Sequence, residues 1–131
     1  MGIVWLASYP KSGNTWVRFL LANYLAGPIS GTAQVEAVAP SLDPKADIAA
    51  LLARLSPCAI KTHFPWSSGH PFAPHTEKAV VVVRHPRDVL LSNLNYQRLI
   101  AAPGQEFSDE QYARGFINVG GDPVWLWRSG Y

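Results

Sequence analysis

Ile3-Val4-Trp5-Leu6-Ala7-Ser8-Tyr9-Pro10-Lys11-Ser12-Gly13-Asn14-Thr15-Trp16 is the stretch that decides the fold. Ile3 to Ser8 is an apolar run closed by Tyr9-Pro10, the pattern of a short buried strand. Residues 9–14 then form a tight polar loop. From about Thr15 to Ala26, Trp16, Phe19, Leu20 and Tyr24 recur at helical spacing, and Gly27-Pro28 stops the helix. Glycine lets a backbone turn closely around a ligand, and the helix behind it offers unpaired N–H groups and a positive dipole end. A strand, such a loop and a helix in succession predict an anion cradle. Lys11 adds a full positive charge, while Ser12, Asn14 and Thr15 add donors. The Walker A order G-x-x-x-x-G-K-[ST] is not met, because Lys11 precedes Gly13 and no earlier glycine stands in the loop. An ordinary ATP or GTP site is therefore disfavoured. A solvated Pro-Gly turn is the plain alternative for so short a loop, and the strand-loop-helix context weighs against it.

Farther along, residues 28–42 read as irregular. Asp43-Pro44 reads as the N-cap and first turn of a helix to Leu55, ahead of Ser56-Pro57. Ala59–Thr62 is a candidate second strand, and the Pro- and His-bearing residues 64–76 a loop. Lys78–Val83 ends in four consecutive valines and predicts a parallel strand buried on both faces. Pro86 opens a helix to about Leu99. Ser108-Asp109-Glu110-Gln111 is a capping box for a helix to about Asn118, and Asp122-Pro123 starts another. This order predicts an α/β fold, a P-loop-like parallel sheet flanked by helices, in one domain over residues 1–131. Ligands of such sheets bind beyond the carboxyl ends of the strands. Three polar clusters follow predicted strands: residues 9–16, 61–63 and 84–92.

The composition bounds the function. The chain has 131 residues, of which 48% are hydrophobic and 15% charged, a globular balance. A net charge of +2 gives no ground for a nucleic-acid or membrane partner, so basic residues must act by local placement. Cys58 has no internal partner for a disulfide, and a reducing cytoplasm is the default compartment. Ile3–Ala7 is too short to span a bilayer, and Leu6 stands where a myristoylation motif wants Ser or Thr. No His/Cys cluster or acidic set has metal-ligand spacing, so no metal is expected.

Tyr-Pro-Lys-Ser-Gly-x-Thr-Trp, with Asn14 at the variable position, resembles the 5′-phosphosulfate loop of cytosolic-type sulfotransferases. Ile60-Lys61-Thr62-His63-Phe64-Pro65 resembles that family's Lys-Thr-His segment. Val83 to Ser92 resembles its 3′-phosphate motif, an Arg at a strand end followed eight residues later by a Ser on the next helix; Arg84 and Ser92 match it. The resemblance runs from about Trp5 to Gln97 and corresponds to the N-terminal portion of the family. It implies transfer of a sulfonate group from 3′-phosphoadenosine-5′-phosphosulfate (PAPS) to a hydroxyl or amine of a small-molecule acceptor. The second product is 3′,5′-adenosine bisphosphate. The resemblance assigns donor binding to Lys11, Ser12, Gly13, Asn14, Thr15, Trp16, Arg84 and Ser92. It makes His63 the general base, with Lys11 and Lys61 stabilising charge on the sulfonate and the departing phosphate. The chemistry agrees: a histidine near pKa 6.5 can take an alcohol's proton, and an arginine fork suits a phosphate. His70 and His75 read as loop residues, and His85 as shaping the turn before Pro86. Arg87 and Asp88 read as structural, Asp88 favouring the helix dipole.

The family's late motif, Arg-Lys-Gly followed by Gly-x-Trp, has no match, and Trp125 to Tyr131 reads as the start of an acceptor-side region. The chain is thus expected to be truncated at its C-terminus relative to the family. Five tryptophans suggest an apolar surface wanting a cover. A complementing C-terminal segment or a homo-oligomer is the implied partner. The alternatives are a non-catalytic nucleotide-binding fragment and half of a split enzyme. A P-loop nucleotide kinase is argued against by the position of Lys11.

Overall fold

Ile3–Ser8 forms β1, which becomes the middle strand of a three-stranded parallel sheet ordered β2-β1-β3, with β2 at Cys58–Thr62 and β3 at Thr76–Val82. The computed structural model describes residues 2–42, 49–50, 53, 58–102 and 107–121. Of the helix expected from Asp43 to Leu55, residues 49–50 and 53 are described and are helical; its other residues, the helix expected after Asp122 and the terminal Trp125–Tyr131 stretch lie outside the described residues. The other helices are α1 (Asn14–Ala26), α2 (Thr32–Val38), α3 (Pro86–Ile100) and α4 (Asp109–Val119), and a 3-10 turn spans Ala73–His75. No helix among the described residues is long and apolar enough to cross a membrane. The chain forms two compact units, residues 1–8 with 13–83, and residues 9–12 with 84–131.

In the first unit the period of two in β1 sorts its side chains to opposite faces. Ile3 and Trp5 pack with Ile60 and Phe72 in one cluster. Leu6 packs with Ala39 and Ala59 in another, against Val17 and Leu21 of α1. The parallel register sets Ala7 beside Thr62 and Val81. The outer edge of β2 is extended by one bridge, Ser41 to Lys61, with Lys61 N–H donating to the Pro40 carbonyl at 2.8 Å.

Two expectations are corrected in this unit, and the orientation of α1 is a further finding. Residues 28–42 are not irregular throughout, since Thr32–Val38 is helical and buries Val35. The valine-rich strand is not buried on both faces: β3 is an edge of the described sheet, and Val80 and Val81 are exposed. The stripe Trp16, Leu20, Tyr24 points outward, at 76%, 69% and 87% exposure. The buried face of α1 is instead Asn14, Arg18 and Ala22.

In the second unit Val89 and Leu94 of α3 pack with Tyr112 and Phe116 of α4, joined by Tyr9, Leu90 and Phe107. Pro86 stands at the first turn of α3, and His85 caps it by accepting from Arg87 N–H at 3.3 Å. Asp88 in the first turn and Arg98 in the last both complement the helix dipole. The capping box forms as expected: Ser108 Oγ accepts from Gln111 N–H at 3.1 Å, and Gln111 Oε1 accepts from Ser108 N–H at 3.0 Å. Arg98 also pairs with Asp109.

Candidate active site

The loop after β1 is strained where function was expected. Lys11 has φ 67, the one non-glycine residue among those described with a left-handed backbone. Such a conformation costs about 1–3 kcal/mol and concentrates at ligand-binding loops. Gly13, with φ 109, is the N-cap of α1 and a position where a side chain would be strained. Helix α1 begins without a side-chain cap and without an acidic residue in its first turn, so its terminal N–H groups keep their affinity for an anion. Ser12 Oγ is buried and has no protein partner among the described residues. An orphaned hydroxyl in an anion-cradle loop fits a phosphate-bearing ligand.

The second unit brings Lys11, Arg84 and Ser92 together through α3. Lys11 Nζ lies 4.2 Å from the centre of the Tyr96 ring, a cation–π contact. Arg84 Nη1 donates to the Lys11 carbonyl at 3.2 Å, and Arg84 Nε lies 4.0 Å from Asp88 Oδ2. Asp88, Ser92 and Tyr96 follow one another at intervals of four, so they share one face of α3. Ser92, half-buried, therefore sits between the residues that touch Arg84 and Lys11. Arg87 N–H donates to His85 Nδ1, and Asp88 stands in the first turn of α3.

The first unit assembles Ser8, Asn14, Lys61 and His63. His63 Nδ1 is 2.7 Å from the Ser8 carbonyl and 3.2 Å from Ser8 Oγ. Asn14 Nδ2 donates to the Leu6 carbonyl at 2.8 Å and to Ser8 Oγ at 3.1 Å. The Asn14 amide hydrogens are thus committed to β1, and its Oδ1 is buried without a partner among the described residues. Thr15 and Trp16 are exposed. Arg18 is buried under α2, its Nε donating to the Ala39 carbonyl at 2.7 Å and its Nη2 paired with Glu36 Oε1 at 2.6 Å.

These surroundings set the charge states. Burial lowers the pKa of His63 below its ordinary 6.5, the Ser8 carbonyl bond opposes that fall, and Lys61 and Arg18 reinforce it. His63 is therefore neutral at pH 7 and able to accept a proton. Burial likewise lowers Lys61, helped by Arg18 and opposed by Glu36. For Glu36, burial pushes upward but is outweighed by the bonds from Arg18 and Ser41, and its carboxyl sits below the ordinary value.

A cavity of about 240 Å³ opens on the Trp5 face of the sheet, walled by Trp5, Ala7, Thr62, Phe64, Trp66 and Val81 among others. His63 does not line it, in keeping with the strand alternation that puts Lys61 and Thr62 on opposite faces. Sequence reasoning missed Ser8, Arg18 and Tyr96. Tyr96 stands four residues after Ser92, and Arg18 four after Asn14, so helical period alone could have drawn attention to both.

Residues 2–120 match the family described as the sulfotransferase domain. Sulfotransferase 4A1 from Mus musculus, Rattus norvegicus and Homo sapiens is in each case 23% identical over 124 residues, covering 88% of this chain and 42% of the relative. The chain spans less than half the length of these curated relatives.

Proposed function

We propose, from the premise that this chain belongs to the sulfotransferase domain family, that it binds PAPS and contributes to moving its sulfonate group to a hydroxyl or amine of a small molecule. The observation that carries this is the arrangement on α3: Lys11 and Arg84 each touch the helix face that bears Ser92. Two cations and a hydroxyl on one face suit a nucleotide with more than one phosphate, and arginine suits a terminal phosphate because its planar fork donates two parallel bonds.

In this proposal Lys11, Ser12, Gly13 and the start of α1 receive the 5′-phosphosulfate, while Arg84 and Ser92 receive the 3′-phosphate. Trp16 and Thr15 are exposed and available to the nucleotide. Asn14, by its hydrogen bonds to Leu6 and Ser8, braces the end of β1. The bond formed is acceptor oxygen (or nitrogen) to sulfur, and the bond broken is sulfur to the bridging oxygen of the 5′-phosphate. His63 takes the acceptor's proton, a contribution of roughly 10²–10⁴ in rate for such a base. Lys11, with Lys61, stabilises the charge that the leaving bisphosphate acquires. We read residues 1–131 as one domain because the family match runs unbroken from 2 to 120. A cytoplasmic location suits the single cysteine.

Calorimetric titration with 3′,5′-adenosine bisphosphate, with 5′-AMP as control, tests the donor site. Binding that depends on the 3′-phosphate is expected. Equal affinity for the two nucleotides removes the Arg84 and Ser92 assignment. Binding without turnover for any hydroxyl or amine acceptor favours the alternative, a nucleotide-binding module that needs a complementing segment or a second copy.

A further inference from the structure

We infer that Asn14 is a positioning residue that acts through Ser8 to fix the orientation and tautomer of His63, with the proton on Nδ1 and the lone pair on Nε2. The inference deepens, and in its functional meaning rests on, the proposal that His63 is the base. A carbonyl oxygen only accepts, so the 2.7 Å contact between His63 Nδ1 and the Ser8 carbonyl is a hydrogen bond only when Nδ1 carries the hydrogen. In the neutral ring the other nitrogen, Nε2, then holds the lone pair. That is the nitrogen a base needs.

Ser8, the residue that carries this carbonyl, is held by its own side chain. Asn14, 4% exposed, spends one amide hydrogen on the Leu6 carbonyl and the other on Ser8 Oγ. The same planar group therefore braces two alternate residues at the end of β1. Ser8 Oγ also lies 3.2 Å from His63 Nδ1, so hydroxyl and carbonyl together form one accepting edge for the ring. Asparagine is suited to this place because it offers two donors on one plane. Aspartate has only acceptors, and threonine one donor. Burial keeps water from competing for these bonds. Without the brace, the Ser8 edge moves and the neutral ring samples both tautomers.

The test reads the tautomer directly by ¹⁵N-resolved ring spectra of His63 at a pH where it is neutral, in the unaltered chain, Asn14→Ala and Ser8→Ala. Circular dichroism checks that each is folded. The unaltered chain is expected to show the Nδ1–H form dominant. Both variants are expected to shift the ratio toward Nε2–H by about three- to tenfold, the equilibrium equivalent of one hydrogen bond. An Nε2–H form in the unaltered chain, or an unchanged ratio in the variants, overturns the inference. If Asn14→Ala does not fold, Ser8→Ala decides alone, since it removes one hydroxyl and keeps the carbonyl. Turnover is not needed for this readout. Full activity in His63→Gln would sink the base assignment while the spectra still decide the role of Asn14.

Discussion

Replacing Arg18 by methionine separates the structural from the electrostatic role of a buried cation. Arg18 is 6% exposed and donates to the Ala39 carbonyl at 2.7 Å. Methionine keeps most of the stem's volume and removes the guanidinium. Ala39 is fully buried, so its carbonyl loses its partner in a place water does not reach, at about 1–3 kcal/mol. The Glu36 pair adds little, because the Glu36 side chain is 50% exposed and regains water. Relief of the guanidinium's own desolvation offsets part of the loss. A net destabilisation of about 1–2 kcal/mol follows, which moves a urea midpoint down by roughly 1 M for a slope near 1–3 kcal/mol/M. The electrostatic consequence runs the other way. Arg18 holds the pKa values of both Lys61 and His63 down, so its removal raises both. Urea unfolding followed by circular dichroism measures the first effect, and a nuclear magnetic resonance titration of His63 the second. A stability change below about 0.5 kcal/mol, under the cost of one orphaned carbonyl, would refute the accounting. A His63 midpoint that falls would refute the charge argument.

Three further outcomes are expected. His63 should titrate below 6.5, with burial as the first cause and Lys61 and Arg18 adding to it; because the unfolded ring binds its proton first, the stability linked to this group is complete above pH 6.5 and is lost as pH falls from there through the folded midpoint. A measured midpoint above 6.5 contradicts this. Arg84→Ala should weaken 3′,5′-adenosine bisphosphate by about tenfold or more, the equilibrium worth of a hydrogen bond to a charged group, and leave 5′-AMP nearly unchanged in the same calorimeter. Ser108→Ala should cost about 0.5–2 kcal/mol by removing the cap on Gln111 N–H, read as faster hydrogen exchange in the first turn of α4; unchanged exchange would mean the cap contributes nothing there.

Much of the fold was legible because several local signals agreed at each element. Gly27 ends α1, Pro86 begins α3 and Ser108 begins α4 as residue chemistry dictates. Helix α2 carried no such marks: it is short, and Gly31 caps it with no side-chain bond. The run Val80–Val83 announced a strand but not its place. An apolar run is the same string in a central and an edge strand, and order in the sheet is set by pairing partners far away in sequence. At the candidate site the charged residues could be named from their types and spacing. The contacts that position them could not, because several run to backbone carbonyls. Every residue has one, and nothing in the letters marks Ser8, Lys11 or Ala39 as the acceptors chosen by His63, Arg84 and Arg18.

Helix α1 carries this point furthest. Positions 14, 18 and 22 form one stripe at intervals of four, and positions 16, 20 and 24 form another. Hydrophobicity assigns the second stripe to the interior, yet the first is buried. The reason lies in what the helix faces. The Leu6 and Ala39 carbonyls and the Ser8 hydroxyl all take hydrogens from Asn14 or Arg18. A Trp-Leu-Tyr face turned toward them would leave those acceptors without partners, and buried acceptors without partners are expensive. Val17 and Leu21, beside the polar stripe, supply the apolar contact with Leu6, Ala39 and Ala59, so the inward face is mixed rather than polar. The interior of this unit is thus specified by hydrogen-bond demand as much as by hydrophobicity. The residues that meet the demand, Asn14 and Arg18, are also the ones that hold the β1 end and set the charge around His63. Substitutions that make α1 conventionally amphipathic should therefore damage the candidate site before they damage the helix.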